Sequence, residues 1–546
     1  MEGSGNNLIG AADCIARDAA DGTASHETTS IAGRLKEADF AAIDAEVDAY
    51  LDRAWDAVLA DMASLVEIPS TEDLAAAAPG APFGPGPHQA LDAALKIARR
   101  MGFDAHDANG YIGYADYQGE NDTQVGIIGH VDVVPAGPGW TVEPYALTRR
   151  DDYLLGRGTS DDKGPLVVAM HAVNFWREKL SAQGKLPRYT IRLLFGANEE
   201  TNMVDVAYYR KNFADPAFLF TPDAEFPLGY GESGCCVGEL ASAPYADGAI
   251  EEIKGGAATN AVPGEAHAVI RIDRTVATLN GDAVACVGAA DMAGESAMQG
   301  PAGKAVAAQA VAAALPEAPG IVATVLPSGR VRVDATGKSA HASTPELGKS
   351  AIALLVDYLL ENGLHAPAER AFLQLEHDML GDTSGARVGI QAADQHFGDL
   401  SAVGGVISMK GGCIVQTLDC RYPTTITAQG IERRLAPRAQ AAGAKFEIVH
   451  DKKPFLMNPD SSAVAALMQA YNHVTGRNAK PFTMKGGTYA RMFGHAVSFG
   501  PEEPGEETPD WVGGMHSPDE GVSEASLKRA FRIYVHAIGL LMQAEL

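Results

Sequence analysis

Residues 125–166 read VGIIGHVDVVPAGPGWTVEPYALTRRDDYLLGRGTSDDKGPL and decide how the rest of the chain is interpreted. The stretch begins with the apolar run 125–129, whose β-branched residues are typical of a buried strand. Side chains two apart on a strand share a face, so His130 and Asp132 are expected to point the same way. Near the other end, Asp161 directly precedes a predicted apolar helix. The stretch therefore predicts a strand and a helix joined by a segment with polar side chains at both ends.

Two further predicted strands also end in acidic residues. The run 189–195 is followed by Glu199 and Glu200, and the run 217–220 is followed by Asp223. In a doubly wound sheet, ligands bind at the carboxyl ends of the strands. We therefore expect these loops to meet the polar ends of the opening stretch at a single site.

The domain organisation follows from a change of pattern along the chain. Strands and helices alternate up to Asp223, whereas the segments after about residue 234 are β-rich and mixed with Ala-rich helices, one of them predicted over 302–315. Near Pro454 the first pattern returns. We predict an α/β fold: a doubly wound mixed-sheet catalytic domain with an inserted α+β lid domain. A mobile N-terminal extension, the first part of the catalytic domain, the lid and the second part of the catalytic domain are predicted at residues 1–38, 39–234, 235–454 and 455–546.

Composition excludes several classes of partner. The formal net charge of −27 argues against nucleic acid and anionic membranes as partners. The six cysteines show no CxxC spacing, which argues against a disulfide framework and fits a reducing cytoplasm. The first residues lack the basic and apolar regions of a signal peptide, and no apolar run is long enough for a membrane span. A cytoplasmic protein is therefore expected.

The polar side chains at the predicted strand ends suit a metal site. Taken singly, a His-x-Asp pair at a strand end is usually only hydrogen-bonded, and an Asp-Asp before a helix is usually a cap. Together, imidazoles and carboxylates without cysteine suit zinc, manganese or cobalt in a hydrolytic site. One ion needs about three protein ligands, whereas two ions with a shared carboxylate, Asp161, use all five candidates. The five are His130, Asp161, Glu200, Asp223 and His516.

The adjacent glutamates are expected to have different roles. Neighbours on an extended segment point in opposite directions, so one of Glu199 and Glu200 can bind metal while the other faces the substrate as general base. Asp132 is expected to hold the imidazole of His130 in a carboxylate–histidine–metal arrangement.

Several motifs resemble one known family. They are GHVDVVP, GRGTSDDKGP, ANEE, TPDAEFP, GKSAHAS, LDCRYP and GGMHSPDE. These motifs are similar to those of the co-catalytic di-zinc metallopeptidases of family twenty, which include carboxypeptidase G, acetylornithine deacetylase, aminoacylase and carnosinase. The resemblance runs from about Phe40 to the C-terminus and is greatest to the dipeptidase branch, the PepV-like and Xaa-His dipeptidases.

The resemblance assigns the metal ligands and the base. It implies that His130 and Asp223 bind one divalent ion. Glu200 and His516 would bind the other, and Asp161 would bridge both. It further implies a cis peptide bond after the bridging aspartate, Zn²⁺ as the metal with Mn²⁺ or Co²⁺ as alternatives, Glu199 as general base and Asp132 as the residue that orients the first histidine.

The resemblance also assigns residues of the lid. His341 would stabilise the oxyanion, and Arg421 and Asn260 would hold the terminal carboxylate of the substrate. Lys485 stands where the family often has glycine, and we expect its side chain to face solvent. The predicted lid is longer than that of dimeric relatives, which borrow the lid histidine from a second chain. A monomer that supplies this histidine itself is the implied state.

The implied function is that of a metal-dependent dipeptidase. A metal-bridging hydroxide would attack the peptide bond of a short unblocked peptide, with Glu199 as general base. Two alternatives stay open: an N-acyl-amino-acid deacylase or carboxypeptidase of the same superfamily, and a non-catalytic metal-binding scaffold. A requirement for a free amine would separate a dipeptidase from a deacylase. Glu199, which the metal ions do not need, argues against the scaffold.

Overall fold

The computed structural model describes residues 37–275, 278–279, 282–283, 308–309, 311–313 and 315–546. Among these residues, no helix combines the length and the apolar character needed to cross a membrane. The main helices are α1 (Glu37–Val66), α2 (Pro85–Arg100), α3 (Lys163–Ala182), α4 (Val204–Asn212), α5 (Ala351–Glu361), α6 (Arg370–Leu380), α7 (Ala428–Ala441), α8 (Ser462–Thr475) and α9 (Glu524–Leu541).

The strands form two large sheets and several short ladders. In chain order they are β1 (Asp104–Ala108), β2 (Ile112–Tyr117), β3 (Asn121–His130), β4 (Thr148–Arg150), β5 (Tyr153–Leu155), β6 (Tyr189–Gly196), β7 (Phe218–Thr221), β8 (Ala224–Glu225), β9 (Gly229–Glu232), β10 (Gly234–Ser242), β11 (Ile250–Gly255), β12 (Ala261–Val262), β13 (Glu265–Ile270), β14 (Thr278–Leu279), β15 (Asp282–Ala283), β16 (Ile321–Val325), β17 (Val331–Thr336), β18 (Ala340–His341), β19 (Ala393–Asp394), β20 (Gly398–Asp399), β21 (Ser401–Val403), β22 (Ile407–Lys410), β23 (Cys413–Tyr422), β24 (Ala444–Lys452), β25 (Phe455–Leu456), β26 (Phe482–Met484), β27 (Ala496–Ser498), β28 (Pro501–Glu502) and β29 (Gly521–Ser523).

The first large sheet is mixed, with a parallel centre. Its order is β1–β2–β6–β3–β7–β27–β9–β25, and β26 pairs with β9. Strand β3 runs parallel to both β6 and β7, and β7 runs parallel to β27. Strands β1 and β2 extend one side in antiparallel fashion. Parallel strands with both faces covered need apolar side chains on both, which explains the continuous apolar runs at the centre.

Helices cover both faces of this sheet. Consecutive side chains of a strand point to opposite faces, and Ile127 and Ile128 on β3 do so. Ile127 packs in a core with residues of α1, α3, α8 and α9, whereas Ile128 packs in a second core with Val206 of α4 and with Tyr489. Both isoleucines are fully buried. Each such burial stabilises the fold by roughly 1.5–3 kcal/mol, so the sheet is held from both sides and is doubly wound.

The second large sheet is antiparallel and has its own core. Its order is β16–β17–β13–β11–β22–β23–β10–β24, with β21 against β23. Helix α5 packs on β13 and β17, and α7 packs on β24 and β10. A separate hydrophobic cluster joins these helices to the sheet. An α+β portion thus lies, in sequence, between two parts of the doubly wound sheet, which confirms the predicted fold class.

The sequence pattern does not predict α6 and α7. Pro437 stands inside α7, and a proline removes a helical hydrogen bond and usually ends a helix. In α6, the buried acid Glu376 interrupts the apolar stripe. The helix predicted over 302–315 lies mostly outside the described residues, of which 308–309 and 311–313 are helical.

Candidate active site

The carboxyl ends of three parallel strands bring the acidic loops together. Strand β3 lies between β6 and β7, so the loops that follow all three leave the same edge of the sheet. His130 is the last residue of β3 and lies opposite Gly196, the last residue of β6. The loop after β6 carries Glu199 and Glu200, and the loop after β7 carries Asp223. The predicted convergence of these loops is therefore observed.

Asp161 lies between the two histidines. Its Oδ1 is 2.9 Å from Nε2 of His130, and its Oδ2 is 2.9 Å from Nε2 of His516. Asp223 Oδ2 lies 3.8 Å from the first histidine, and Glu200 Oε2 lies 3.1 Å from the second. Two groups of potential metal ligands result, and Asp161 is the residue they share.

The donor set fits divalent cations. Within the described residues, the only ion pairs of the three carboxylates are with the two histidines, and no lysine or arginine neutralises them. Burial works to lower the pKa of His130, but the nearby carboxylates of Asp132, Asp161 and Asp223 raise it well above the ordinary value. Hydrogen bonds with Asp161 and Glu200 raise the pKa of His516 to about 10. Positive charge is therefore favoured at both imidazole nitrogens, and hard oxygen and imidazole donors suit zinc or manganese there.

Asp132 contacts the site differently from the sequence-based expectation. Nδ1 of His130 lies 2.9 Å from the backbone carbonyl oxygen of Asp132 and 3.6 Å from its carboxylate. The carboxylate instead accepts hydrogen bonds from the backbone N–H groups of Glu199 and Glu200, each at 3.1 Å. The backbone of Asp132 thus orients the imidazole, while its side chain fixes the loop that carries both glutamates.

Glu199 belongs to neither ligand group. Burial raises the pKa of its carboxyl group to about 8, and the negative charges of Glu200, Asp161 and Asp132 add to this effect. A carboxyl group whose pKa lies near neutrality can both take up and release a proton at physiological pH.

His341 presents one ring nitrogen as a donor. Its strand β18 pairs with β12, so that His341 lies opposite Ala261. Nδ1 of His341 accepts a hydrogen bond from the backbone N–H of Ser343 at 3.2 Å. The neutral ring must then carry its proton on Nε2, which is free to donate. Burial lowers the pKa of His341, and the charges of Arg421 and His516 act in the same direction, which favours the neutral imidazole.

Arg421 is buried, and its guanidinium group makes hydrogen bonds through three nitrogen atoms. Its Nε and Nη2 donate to the carboxylate of Asp419 at 2.8 and 3.3 Å, and its Nη1 donates to the backbone carbonyl of Lys485 at 3.2 Å. A guanidinium has five N–H donors, so two are left for a further acceptor. Asn260 is exposed. Its backbone carbonyl oxygen accepts a hydrogen bond from the backbone N–H of Ala342 at 2.9 Å, so Asn260 lies beside the segment that carries His341. Lys485 itself is half-buried.

Glu520 ties two of the ligand loops together, and the sequence analysis did not single it out. Its Oε1 accepts backbone hydrogen bonds from Gly158, Ser160 and Asp161 at 2.9, 3.1 and 3.3 Å. Its Oε2 pairs with the buried guanidinium of Arg157. The only signal in the sequence is its place in the motif GGMHSPDE, because its partners lie in a distant part of the chain.

The loop that carries His516 is conformationally constrained. His516 has a φ of 64° and Asp519 a φ of 55°, in the left-handed region that non-glycine residues rarely adopt. The carboxylate of Asp519 accepts from the N–H and hydroxyl of Thr141 at 2.7 and 2.8 Å. These bonds hold the loop in place against a cost of roughly 1–2 kcal/mol per left-handed residue.

Asp162 is a second residue that the sequence analysis did not single out. Its Oδ2 accepts the backbone N–H of His130 at 3.0 Å. A Cβ atom at Gly129 would lie 2.4 Å from that oxygen, so only glycine fits there. The peptide bond between Asp161 and Asp162 is cis, as the resemblance implied.

Comparison with known proteins identifies relatives over most of the chain. Residues 126–539 match Peptidase family M20/M25/M40, which confirms the resemblance described above. The chain is 30% identical to the Beta-Ala-Xaa dipeptidase of Lactobacillus delbrueckii subsp. lactis over 501 residues, which cover 90% of this chain and 97% of that relative.

Two solved structures share the fold. Human carnosine dipeptidase 1 aligns with a TM-score of 0.52 and 16% identity over 91% of this chain and 98% of its own. The di-peptidase Dug1p of Saccharomyces cerevisiae aligns with a TM-score of 0.51 and 14% identity over 92% and 99%. At these identities the likeness supports the fold rather than a particular substrate.

Proposed function

The chain belongs to Peptidase family M20/M25/M40, hydrolases that act on peptide bonds, and on this basis we propose that it is a dipeptidase for short peptides with a free amino terminus. The Lactobacillus relative, a Beta-Ala-Xaa dipeptidase, is similar over nearly its whole length and supports a dipeptide as substrate. One observation carries the proposal: Asp161 is shared by two groups of potential metal ligands, and the carboxyl group of Glu199, which belongs to neither group, lies beside them.

Two divalent ions would fit the site. His130 and Asp223 would hold one, Glu200 and His516 would hold the other, and Asp161 would contribute to both. When bound, the ions supply Lewis acidity, which lowers the pKa of water and polarises a carbonyl group. Zn²⁺ fits the mixed imidazole and carboxylate donors, and Mn²⁺ or Co²⁺ are the alternatives.

Glu199 moves the proton. Its carboxylate takes a proton from the attacking water and delivers it to the leaving amine. Its carboxyl group belongs to neither group of metal ligands and is therefore available for this task. Asp132 holds the Glu199 backbone and so keeps the carboxyl group aimed at the substrate.

Residues of the second sheet bind the rest of the substrate. His341 donates its Nε2–H to the oxyanion that develops on the scissile carbonyl, because its Nδ1 is occupied as an acceptor. The two remaining N–H groups of Arg421 and the amide of Asn260 bind the terminal carboxylate of the peptide.

Residues 235–454 act as a lid over the metal site. The lid carries His341 and Arg421, whereas the metal ligands lie on the first sheet or the loops around it. Closing the lid would bring both sets of groups onto one substrate and exclude water, which limits the length of peptide that fits.

The experiment that tests the function compares one dipeptide with its N-acetylated form. The metal-free enzyme is re-supplied with Zn²⁺ or Mn²⁺, and hydrolysis of a β-alanyl or α-linked dipeptide and of its acetylated twin is measured. The proposal expects cleavage of the free dipeptide alone, restored by metal. Cleavage of the acetylated form would instead indicate a deacylase. Two bound ions with neither peptide cleaved would contradict a dipeptidase.

A further inference from the structure

A third group of potential metal ligands lies outside the active site. Asp44 on α1, His473 on α8 and His536 on α9 offer ligand atoms that lie within 4.8 Å of one another. None of these residues belongs to the two groups that share Asp161. The proposed reaction therefore does not account for this cluster of ligand atoms.

The geometry of this cluster resembles that of the active site. Nε2 of His536 is 2.8 Å from Oδ1 of Asp44, and Nε2 of His473 is 3.0 Å from Oδ2 of the same carboxylate. At the active site, the two imidazoles approach Asp161 at 2.9 Å each. In both places one carboxylate presents its two oxygens to two different imidazole nitrogens.

An aromatic ring packs against both imidazoles of the cluster. Phe40 stacks on the ring of His473 with centroids 4.2 Å apart and lies 5.3 Å from the ring of His536. The side chain of His536 is fully buried. Asp44 and His473 are 41% and 29% exposed, so an ion can reach the cluster from solvent.

We propose that Asp44, His473 and His536 form a further binding site for a divalent transition-metal ion such as Zn²⁺. Two imidazoles and one carboxylate provide three protein ligands, and water completes a tetrahedral shell on the exposed side. The ligands come from three helices, so the ion fastens α1 to α8 and α9. The site is independent of catalysis and stabilises the packing of the N-terminal helix.

The first test counts bound zinc in the full-length protein. The wild-type protein, His473→Gln and Asp44→Asn are loaded with Zn²⁺, dialysed against metal-free buffer and analysed by elemental mass spectrometry. We expect each variant to hold one zinc ion fewer than the wild type and to hydrolyse peptide at an unchanged rate. His106→Gln is the matched control, because His106 pairs with Asp104 at 2.9 Å and no third ligand joins them within the described residues. It should keep the wild-type zinc content.

Equal zinc content in all four proteins would overturn the proposal, as would the same loss in the His106 control. If the variants fail to fold, anomalous diffraction at the zinc edge tests the unaltered protein instead. A peak between His473 and His536 is expected, and its absence from zinc-saturated crystals would overturn the site. The readout is separate from activity, so a failed dipeptidase assignment leaves this result unaffected.

Discussion

At the scale of single residues, the carboxyl groups of Asp161 and Glu199 have pKa values that are shifted in opposite directions. Asp161 is low in pKa because both histidines stabilise its charged form against the opposing effect of burial. Burial and the neighbouring carboxylates raise the pKa of Glu199 and outweigh the charge of His130, which favours the ionised form. Two acids in one site thus have opposite proton affinities, as a metal ligand and a proton carrier require.

The contrast predicts the behaviour of Glu199→Ala. The variant should bind both metal ions, because Glu199 is in neither ligand group, but lose at least about a thousandfold in kcat/KM, or some 4 kcal/mol of transition-state stabilisation. Metal content and dipeptide hydrolysis are measured on the same preparation. The comparison variant is Glu200→Ala, which should lose both activity and one metal ion. Full activity in Glu199→Ala would refute its role as the base.

The tautomer of His341 leads to a second prediction. His341→Ala removes the Nε2–H donor and should lower kcat by about a hundredfold to a thousandfold with little change in KM. Ser343→Ala is the comparison variant: it removes the hydroxyl that lies 2.6 Å from Nδ1 but keeps the backbone N–H donor and the imidazole, so its activity should fall far less than that of His341→Ala. Steady-state kinetics of both variants decide the matter. A rise in KM alone in His341→Ala would argue against an oxyanion role.

The metal-ligand candidates could be recognised in the sequence because each follows a predicted strand or stands in a distinctive motif. The roles of the Asp132 carboxylate and of Glu520 could not. Asp132 is separated from His130 by one residue, which suggests a direct side-chain contact, yet its carboxylate binds the backbone of a loop from another strand. Such a contact depends on the order of strands in the sheet, which periodicity does not reveal.

At the scale of elements, apolar patterns predicted β3, β6 and β7 at the centre of the doubly wound sheet, whereas they did not predict α6, in which Glu376 interrupts the apolar stripe. Glu376 is fully buried in α6, and neither carboxylate oxygen has a hydrogen-bond partner among the described residues. Burial raises its pKa from 4.5 to about 8. An acid of this kind breaks the apolar stripe and also destabilises the packing of α6 against α5 and α7.

This burial predicts a pH-dependent stability. Between pH 4.5 and about pH 8, the folded protein keeps the proton on Glu376 while the unfolded chain releases it. The folded state therefore binds more protons, and its stability falls as the pH rises through this window. At pH 7 the buried carboxyl group lowers the free energy of unfolding by a value on the order of 3 kcal/mol. Below the window the cost vanishes, because the carboxyl group is protonated in both states.

Glu376→Met removes the carboxyl group while it keeps a similar volume. We expect a higher Tm at pH 7 and a smaller fall in Tm between pH 5 and pH 8, measured by thermal unfolding. Glu361→Met, at the exposed end of α5, is the control and should leave this pH dependence as it is in the wild type. A lower Tm for Glu376→Met at pH 7 would mean that the carboxylate has a stabilising partner.

At the scale of the whole molecule, one chain contains every group that the proposed reaction needs. The ligand groups lie around the first sheet, and His341 and Arg421 come from the α+β portion. We expect His341 to act on the site of its own chain, so that no second chain is required to complete the site.

Self-sufficiency predicts the outcome of mixing two inactive proteins. If His341 acted on the site of a second chain, a mixture of Glu199→Ala and His341→Ala would contain mixed dimers. Each mixed dimer would have one site with both groups intact, about a quarter of all sites at random pairing. Because His341 serves its own chain here, we expect no recovery: the mixture should hydrolyse dipeptide at the mean of the two separate rates. The assay is run over a range of protein concentrations, after partial unfolding and refolding of the mixed chains to allow exchange. Recovery that grows with concentration would show that the lid histidine crosses between chains, and the monomeric arrangement would have to be abandoned.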